Sequence, residues 1–207
     1  MTRLFLCRHA EVEERYYRVF GGRINMGLSS RGLAQAESLA RWLAKHSFDS
    51  VYASPMQRVQ LTIVPCLPQF SQSPVCLDTL REVDFGDWTG CGWDEIQQRF
   101  GSSAYDWLQL MESNAIPNCE PIDDFRARVG SSLQTILKKS PEQTVAVFAH
   151  GGVIRMLLSL LIELPLSKFE HVEIDYASVT CVNVGEIKAG RPRTEIQLLN
   201  LTPWRDL

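Results

Sequence analysis

Two short segments made almost entirely of apolar residues constrain the fold more than any other feature of the sequence. They are Arg3–Arg8, in which Leu4 to Cys7 are all apolar, and Thr144–Ala149. A strand that is apolar at nearly every position has both faces buried, which is typical of a parallel sheet with helices on each side. The sequence therefore predicts a layered α/β protein.

Helical and strand patterns alternate along the rest of the chain. Predicted helices extend from Ser30 to about His46, from Pro55 to about Leu67, from Asp123 to Lys138, and from Gly151 to the residue before Pro165. Further strands are predicted at Val51–Ala53, Val75–Leu77, Val172–Ile174, Ser178–Val184 and Glu195–Leu201. The alternation predicts a three-layer α/β/α sandwich around a mostly parallel mixed sheet. Two helices predicted at about 93–100 and 104–112 interrupt it, so residues of about 91–121 are expected to form a small helical cap within a single domain spanning 1–207.

Composition excludes several classes of function. The formal net charge is −3, which provides no basic surface for nucleic acid. No segment has the roughly 18 consecutive apolar residues of a membrane helix and no secretory leader is recognisable, so we expect neither a membrane partner nor export. The six cysteines contain no C-x-x-C pair, which favours reduced thiols in a cytoplasmic protein over disulfides or a zinc site. No pattern predicts an oligomeric state.

Two of the four histidines directly follow the two apolar strands. His9 comes after the first strand and His150 after the second, next to Gly151 and Gly152. In open α/β sheets, ligands bind beyond the carboxyl ends of the strands, so neighbouring strands would bring both imidazoles into one crevice. A glycine pair at the start of a helix also lets an anion approach the backbone closely. These residues indicate an anion site.

Three further charged side chains are predicted near the same crevice. Arg58 lies one turn inside the helix that begins at Pro55, and Glu82 and Asp84 share one face if their segment is extended. A carboxyl group beside apolar and aromatic residues can have a raised pKa, as a general acid requires. Taken singly, each of these side chains is more simply explained as a solvated surface residue.

Taken together, the charged side chains complement an anion. His9 is predicted as a nucleophile and Glu82 as a proton source. The predicted cationic donors are Arg8, Arg58 and His150. A metal site built on the two histidines is the sharpest alternative, but Arg8 argues against it because a guanidinium repels a divalent cation.

The order of these motifs resembles that of the histidine phosphatase superfamily, the phosphoglycerate mutase-like proteins. The arginine–histidine–glycine motif of that family is similar to Cys7–Glu11 here. The resemblance continues, in order, through Gly22, Leu28–Gly32, Ser54–Arg58, Leu80–Gly86 and Ala149–Gly152. It implies that His9 becomes a phosphohistidine and that Glu82 acts as general acid and then as base. The phosphate-binding residues it implies are Arg8, Arg58, His150 and Gly151, and it implies neither a metal nor another cofactor.

Three positions depart from the pattern of that family. Ala10 stands where glycine is usual, Val12 where threonine is common, and Arg15 where an asparagine often contacts phosphate. Alanine is tolerated at position 10 if the backbone φ there is negative and is strained otherwise. Arg15 either replaces a phosphate contact with a charged one or points away.

The resemblance implies a hydrolase, a metal-independent phosphomonoesterase acting on a small phosphorylated metabolite, close to the α-ribazole and broad-specificity phosphatases. One alternative is a cofactor-dependent phosphoglycerate mutase. Such mutases carry Arg-His-Tyr-Gly after the glutamate, whereas this chain has Val83 and Asp84 in place of the two basic residues, which is expected to repel phosphoglycerates. The other alternative is a non-catalytic phosphate-binding regulatory protein, and the retained His9 and Glu82 argue against it.

Overall fold

The computed structural model describes residues 1–188 and 191–207, and a six-stranded sheet forms its centre. The strands are β1 (Thr2–Arg8), β2 (Ser50–Ala53), β3 (Val75–Cys76), β4 (Thr144–Ala149), β5 (Val179–Lys188) and β6 (Arg191–Leu201). Their spatial order is β3-β2-β4-β1-β5-β6. β1 to β4 run parallel to one another, whereas β5 is antiparallel to its neighbour β1 and β6 is antiparallel to β5. The predicted mostly parallel mixed sheet is therefore confirmed.

Helices connect the parallel strands and flank the sheet. In the described part of the chain they are α1 (Ser30–Leu43), α2 (Gln57–Ile63), α3 (Trp93–Phe100), α4 (Trp107–Glu112), α5 (Ile122–Lys139), α6 (Gly151–Ile162) and α7 (Pro203–Asp206). α1 begins where predicted because the Ser29 hydroxyl accepts a hydrogen bond from the Gly32 N–H, which satisfies one free donor of the first turn. Across residues 1–188 and 191–207, none of the helices combines the length and the apolar character that crossing a bilayer requires.

Side chains of β1 alternate between two cores, one on each face of the sheet. Leu4 and Leu6 belong to a core that α5, α6 and the helices of residues 93–112 complete. Phe5 and Cys7 belong to a second core, closed by α1 and α2. Helices thus cover both faces, as the three-layer prediction requires. The carboxyl ends of the central strands are left as the place where polar side chains can gather.

The strand predicted at Val172–Ile174 was wrong, because these residues lie in a loop. The carbonyl oxygen of Val172 accepts a hydrogen bond from Arg155, and that of Ile174 accepts one from Arg8. Acceptors that would otherwise pair with a neighbouring strand are therefore used by two guanidinium groups. An alternating pattern of three residues, Val172, Glu173 and Ile174, could not reveal that use of the backbone.

The helix predicted from Pro55 to about Leu67 is shorter than its apolar pattern suggests. It is α-helical only over α2 and continues as a 3-10 segment from Val64 to Gln69. Pro65 and Pro68 lie within that segment, and proline lacks the N–H group that an α-helix needs at each interior position. The tighter turn therefore replaces the last part of the predicted helix.

Thr62 on α2 joins this helix to the end of β1, and its removal tests that junction. Its buried hydroxyl accepts a hydrogen bond from the Ala10 N–H (2.9 Å) and donates one to the Arg58 carbonyl (2.7 Å). Thr62→Val keeps the shape but leaves a buried N–H unpaired, so we expect a loss of about 1–3 kcal/mol in unfolding free energy, measured by urea denaturation. Thr89→Val is the matched control, because the buried Thr89 hydroxyl has no partner among the described residues. Equal stability losses in the two variants would contradict this role of Thr62.

Candidate active site

The two histidines of the site lie side by side because β1 and β4 are paired. Arg8 and Ala149 are opposite each other in the register, and the His9 N–H donates to the Ala149 carbonyl over 3.0 Å. The centroids of the His9 and His150 rings are 5.3 Å apart. The predicted meeting of both imidazoles beyond the strand ends is thus what the structure has.

His9 is held in the tautomer that a nucleophile needs. Its Nδ1 lies 2.8 Å from the Ala10 carbonyl oxygen, which can only accept a hydrogen bond, so Nδ1 carries the proton and Nε2 keeps a free electron pair. Burial is the largest cause that holds the His9 pKa well below its ordinary value, followed by the positive charges of Arg58 and Arg8. His9 is therefore a neutral imidazole in the resting site.

Arg8 presents part of its guanidinium to the cavity. Its Nη1 donates to the Ile174 carbonyl, and its guanidinium carbon lies 4.0 Å from the centre of the Tyr176 ring, a cation–π contact. The buried Nε has no hydrogen-bond partner among the described residues. Tyr176 also lies 5.6 Å from the His9 ring, so one aromatic side chain fixes both members of the motif. Sequence reasoning missed Tyr176, which follows the loop that was predicted as a strand.

Arg58 and His150 form a second buried pair. Arg58 donates from Nε to His150 Nδ1 (3.2 Å) and from its terminal nitrogens to the carbonyls of Gly22 (2.8 Å) and Ile24 (3.0 Å). Burial is the main reason that the Arg58 pKa falls to about 10, so the side chain is still charged at neutral pH. The other nitrogen of His150, Nε2, lies 2.8 Å from the Ser54 hydroxyl.

The structure gives His150 a different character from the cationic donor that the sequence predicted. Burial, followed by the charge of Arg58, holds its pKa well below the ordinary value, so the ring is neutral. His150 is fully buried and lies behind Arg58 rather than on the wall of the cavity. Because both its ring nitrogens are engaged in hydrogen bonds, neither is free for the metal site that was the alternative interpretation.

Glu82 faces the histidines from the other side of the cavity. One carboxylate oxygen accepts a hydrogen bond from the Gly152 N–H (3.1 Å) and the other accepts one from its own neighbour, the Val83 N–H (3.0 Å). Gly152 must be glycine for this contact, because a Cβ there would lie 2.6 Å from the carboxylate. The glycine pair therefore serves to bring Glu82 against the start of α6, next to the Gly151 backbone.

Arg128 holds the segment that carries Glu82, and sequence reasoning missed it. Its guanidinium forms a two-pronged ion pair with the Glu120 carboxylate, with Nη2 at 2.8 Å, and donates to the carbonyls of Thr79, Arg81 and Glu82. Both side chains of the pair are largely buried. The sequence left Glu120 without a role. Its position one residue before Pro121 carries no signal that points to an arginine nearly two turns into α5.

Arg155 is a third arginine at the cavity that sequence reasoning did not select. It donates to the carbonyls of Gly151, Phe169 and Val172, and burial is the main cause that lowers its pKa to about 10. Arg155 lies one turn into α6, four residues after Gly151. Arg58, which was predicted one turn inside its helix, is instead the second residue of α2. The position of Arg155 one turn beyond the glycine pair was a signal from which it could have been found.

The three unusual positions of the first motif are explained by their surroundings. Ala10 is fully buried and its φ is not positive, so alanine is accommodated without strain. Arg15 points away, with its side chain 68% exposed and paired with Glu13. Val12 lines the cavity. The expected repulsion of phosphoglycerates by Asp84 does not fit the structure, because an Asp84 carboxylate oxygen accepts from the Gly86 N–H and Asp84 does not line the cavity.

Comparisons with known proteins agree with this geometry. Residues 4–197 match the family described as the histidine phosphatase superfamily (branch 1). Phosphoserine phosphatase 1 of Hydrogenobacter thermophilus is 29% identical over 202 residues, which are 98% of this chain and 93% of that protein. A 2,3-bisphosphoglycerate-dependent phosphoglycerate mutase of Bartonella quintana is 34% identical over 167 residues, 76% of this chain and 80% of that protein. The solved structure of the α-ribazole phosphatase of Shigella flexneri has 26% identity and a TM-score of 0.78, and the match covers 97% of this chain and 96% of that one.

The two neutral, buried histidines predict how stability depends on pH. Because the pKa values of His9 and His150 are lowered by folding, the unfolded chain binds more protons than the folded protein below about pH 6.5. The unfolding free energy should then fall by up to about 1.4 kcal/mol per pH unit for each histidine until its folded pKa is reached. Urea denaturation at pH 7, 6 and 5 measures this slope. His9→Gln should reduce it, whereas the exposed His171→Gln should not, and the same slope in all three proteins would contradict the assignment.

Proposed function

Because this chain belongs to branch 1 of the histidine phosphatase superfamily, we propose that His9 takes up the phosphoryl group of its substrate and that water then releases it. The protein is a phosphatase and hence a hydrolase, and it acts on a small phosphorylated molecule. The observation that supports the role of His9 best is its tautomer, since Nε2 keeps its electron pair and His9 lines the same cavity as two arginines and Glu82.

The first step transfers the phosphoryl group from the substrate to the protein. His9 Nε2 attacks phosphorus, a P–N bond forms and the P–O bond to the leaving group breaks. Glu82, protonated at that stage, gives its proton to the departing oxygen. A covalent intermediate divides one difficult displacement into two easier ones.

In the second step Glu82 acts as a base and His9 is the leaving group. A water molecule takes the place of the leaving group, the Glu82 carboxylate accepts one of its protons, and the oxygen attacks phosphorus as the P–N bond breaks. Inorganic phosphate leaves, His9 regains its neutral form and Glu82 is again protonated. The step needs no group that the chain does not supply, apart from water.

The charge that develops on the phosphoryl oxygens is stabilised by Arg8, Arg58 and the backbone at Gly151. Arg8 offers its Nε, which has no partner in the part of the chain that the structure describes, and Arg58 is held at the cavity by two backbone carbonyls and His150. Gly151 is the first residue of α6, whose amino-terminal dipole favours an anion. We assign His150 the task of holding Arg58, in place of direct phosphate binding.

We further propose that the chain is one domain, 1–207, with residues of about 91–121 as a cap beside the site. α3 and α4 supply this segment, and Trp93 and Tyr105 from it line the cavity. The proposed surroundings are the cytoplasm, where the six cysteines, all free in the structure, would stay reduced. Nucleic acid and membranes are not proposed as partners, since the formal net charge of −3 offers them no basic surface.

Release of 4-nitrophenol from 4-nitrophenyl phosphate in the presence of EDTA tests this mechanism. We expect activity in the wild type and a loss on the order of 10³-fold or more in His9→Ala. After quenching in alkaline detergent, wild type incubated with phosphorus-labelled substrate should carry a phosphoryl group that is stable in alkali and lost in acid, the behaviour of a phosphorus–nitrogen bond. Label that persists in folded His9→Ala would exclude His9 as the nucleophile.

Gly152→Ala tests the placement of Glu82. The added methyl group must displace the carboxylate, so we expect the hydrolysis of an alkyl phosphate to slow by about 10²–10⁴-fold. Hydrolysis of 4-nitrophenyl phosphate should slow less, because its leaving group needs less protonation. Gly130→Ala on α5 is the control, since a Cβ there makes only ordinary contact with Leu160. Equal activity of both variants on the alkyl phosphate would remove Glu82 from the role of general acid.

A further inference from the structure

The cavity that contains His9 and Glu82 is larger than the phosphoryl chemistry requires. Its volume is about 440 Å³, which lies in the range of pockets that enclose a drug-sized ligand. The phosphate-binding side chains and Glu82 form its buried inner end. A phosphate with a short aliphatic chain would fill that inner end and leave the outer part unoccupied. The side chains that line the outer part of the cavity therefore indicate what the leaving group of the substrate contains.

Solvent-accessible aromatic side chains dominate the outer part of the cavity. We call this set the aromatic rim, and it consists of Tyr16, Tyr17, Trp93, Tyr105 and Trp107. The tyrosine pair comes from the loop after β1. Trp93 begins α3, Trp107 begins α4, and Tyr105 lies in the 3-10 turn between these helices. Single exposed aromatic residues are common, but several from separate segments around one cavity are typical of a ligand site.

Three of the five rings of the rim, those of Trp93, Tyr105 and Trp107, are positioned by contacts within the protein. Trp93 and Tyr105 meet edge to face, with centroids 4.8 Å apart and planes at 82°. Trp107 meets Phe85 in the same manner at 5.5 Å and 73°. The Trp93 N–H also donates to the Arg18 carbonyl (3.1 Å), which ties the cap to the tyrosine loop. Rings that are already positioned lose little conformational entropy when they bind a ligand.

Two of these rings keep most of their surface in water. Tyr17 and Tyr105 are each 69% exposed, although both line the cavity. Covering such surface with a planar ring gives stacking or edge contacts in addition to burial of apolar area. Phosphoserine has no group that could cover it.

We propose that the aromatic rim binds a planar aromatic ring carried by the leaving group of the substrate. The substrate class is then an alkyl phosphomonoester that bears an aryl or heteroaryl ring, rather than a phosphorylated amino acid. This inference rests on the proposed function, since the ring reaches the rim only when the phosphoryl group is at His9. Arg18 and Glu173 also line the cavity and could contact an amino acid, so phosphoserine is the substrate against which the proposal is tested.

A matched pair of substrates isolates the contribution of the ring. Adenosine 5′-monophosphate and ribose 5-phosphate have the same kind of primary alkoxide leaving group and differ in the heteroaryl ring. We expect kcat/KM to be at least about 10-fold higher for adenosine 5′-monophosphate, mainly through a lower KM. 2-Phenylethyl phosphate against ethyl phosphate repeats the comparison without a sugar. Phosphoserine should be hydrolysed no better than ribose 5-phosphate.

Substitutions in the aromatic rim test whether its residues cause the preference for ring-bearing esters. Tyr105→Ala removes an exposed side chain and should leave folding intact while lowering kcat/KM about 5–10-fold for the ring-bearing esters only. Trp93→Leu should act in the same direction. Trp42→Leu is its matched control, because Trp42 packs against Phe5 and His46 and does not line the cavity.

The outcomes separate this proposal from the proposed function. Equal kcat/KM for ring-bearing and ring-free esters, a preference for phosphoserine, or a ring preference that survives in both rim variants would overturn the aromatic rim and leave the phosphatase mechanism standing. Failure to hydrolyse any ester, 4-nitrophenyl phosphate included, would overturn both. A ring preference that is reduced in Tyr105→Ala and Trp93→Leu but retained in Trp42→Leu would establish it.

Discussion

Three largely buried arginines face one cavity, and the rest of the site depends on how their charge is accommodated. Removing a guanidinium from water is costly unless its N–H groups find acceptors. Most of the acceptors here are backbone carbonyl oxygens: Arg8 uses that of Ile174, Arg58 uses two in the loop at 22–24, and Arg155 uses three more. A carbonyl satisfies a donor without cancelling its charge. The positive potential is therefore preserved for phosphoryl oxygens instead of being neutralised by carboxylates.

This arrangement determines the form of the surrounding chain. Carbonyl groups that point into the cavity cannot also pair in a sheet, so residues 22–24 and 169–174 adopt irregular or 3-10 conformations beside the regular core. The same positive field, together with burial, keeps both histidines neutral. Burying arginines against backbone carbonyl oxygens thus provides a positively charged phosphate site and an uncharged nucleophile within the same small volume.

The parts of the fold that depend on apolar patterning were predictable from the sequence. The parts that depend on hydrogen bonds from side chains to backbone carbonyl oxygens were not. The β1 and β4 segments and the placement of His9 beyond the strand end follow from buried strands in a parallel sheet. That these two strands are neighbours was only a condition of the prediction, and the structure meets it. The strand predicted at 172–174 was wrong because carbonyl oxygens of this segment accept hydrogen bonds from arginines of distant elements. The charge assigned to His150 failed because a sequence does not report burial. Arg128 escaped notice because its partners are a carboxylate eight residues before it and three backbone carbonyls.

Ala10 bears on how widely this kind of site is distributed among proteins. Its side chain packs in the core under α1 and α2, and its carbonyl fixes the proton of His9. With φ outside the positive region, the backbone at that position makes no demand for glycine. What the position requires is a residue small enough for a closed core and a carbonyl aimed at the imidazole. Chains with alanine after the histidine therefore meet the same stereochemical requirement, and a motif definition that insists on glycine would leave them out.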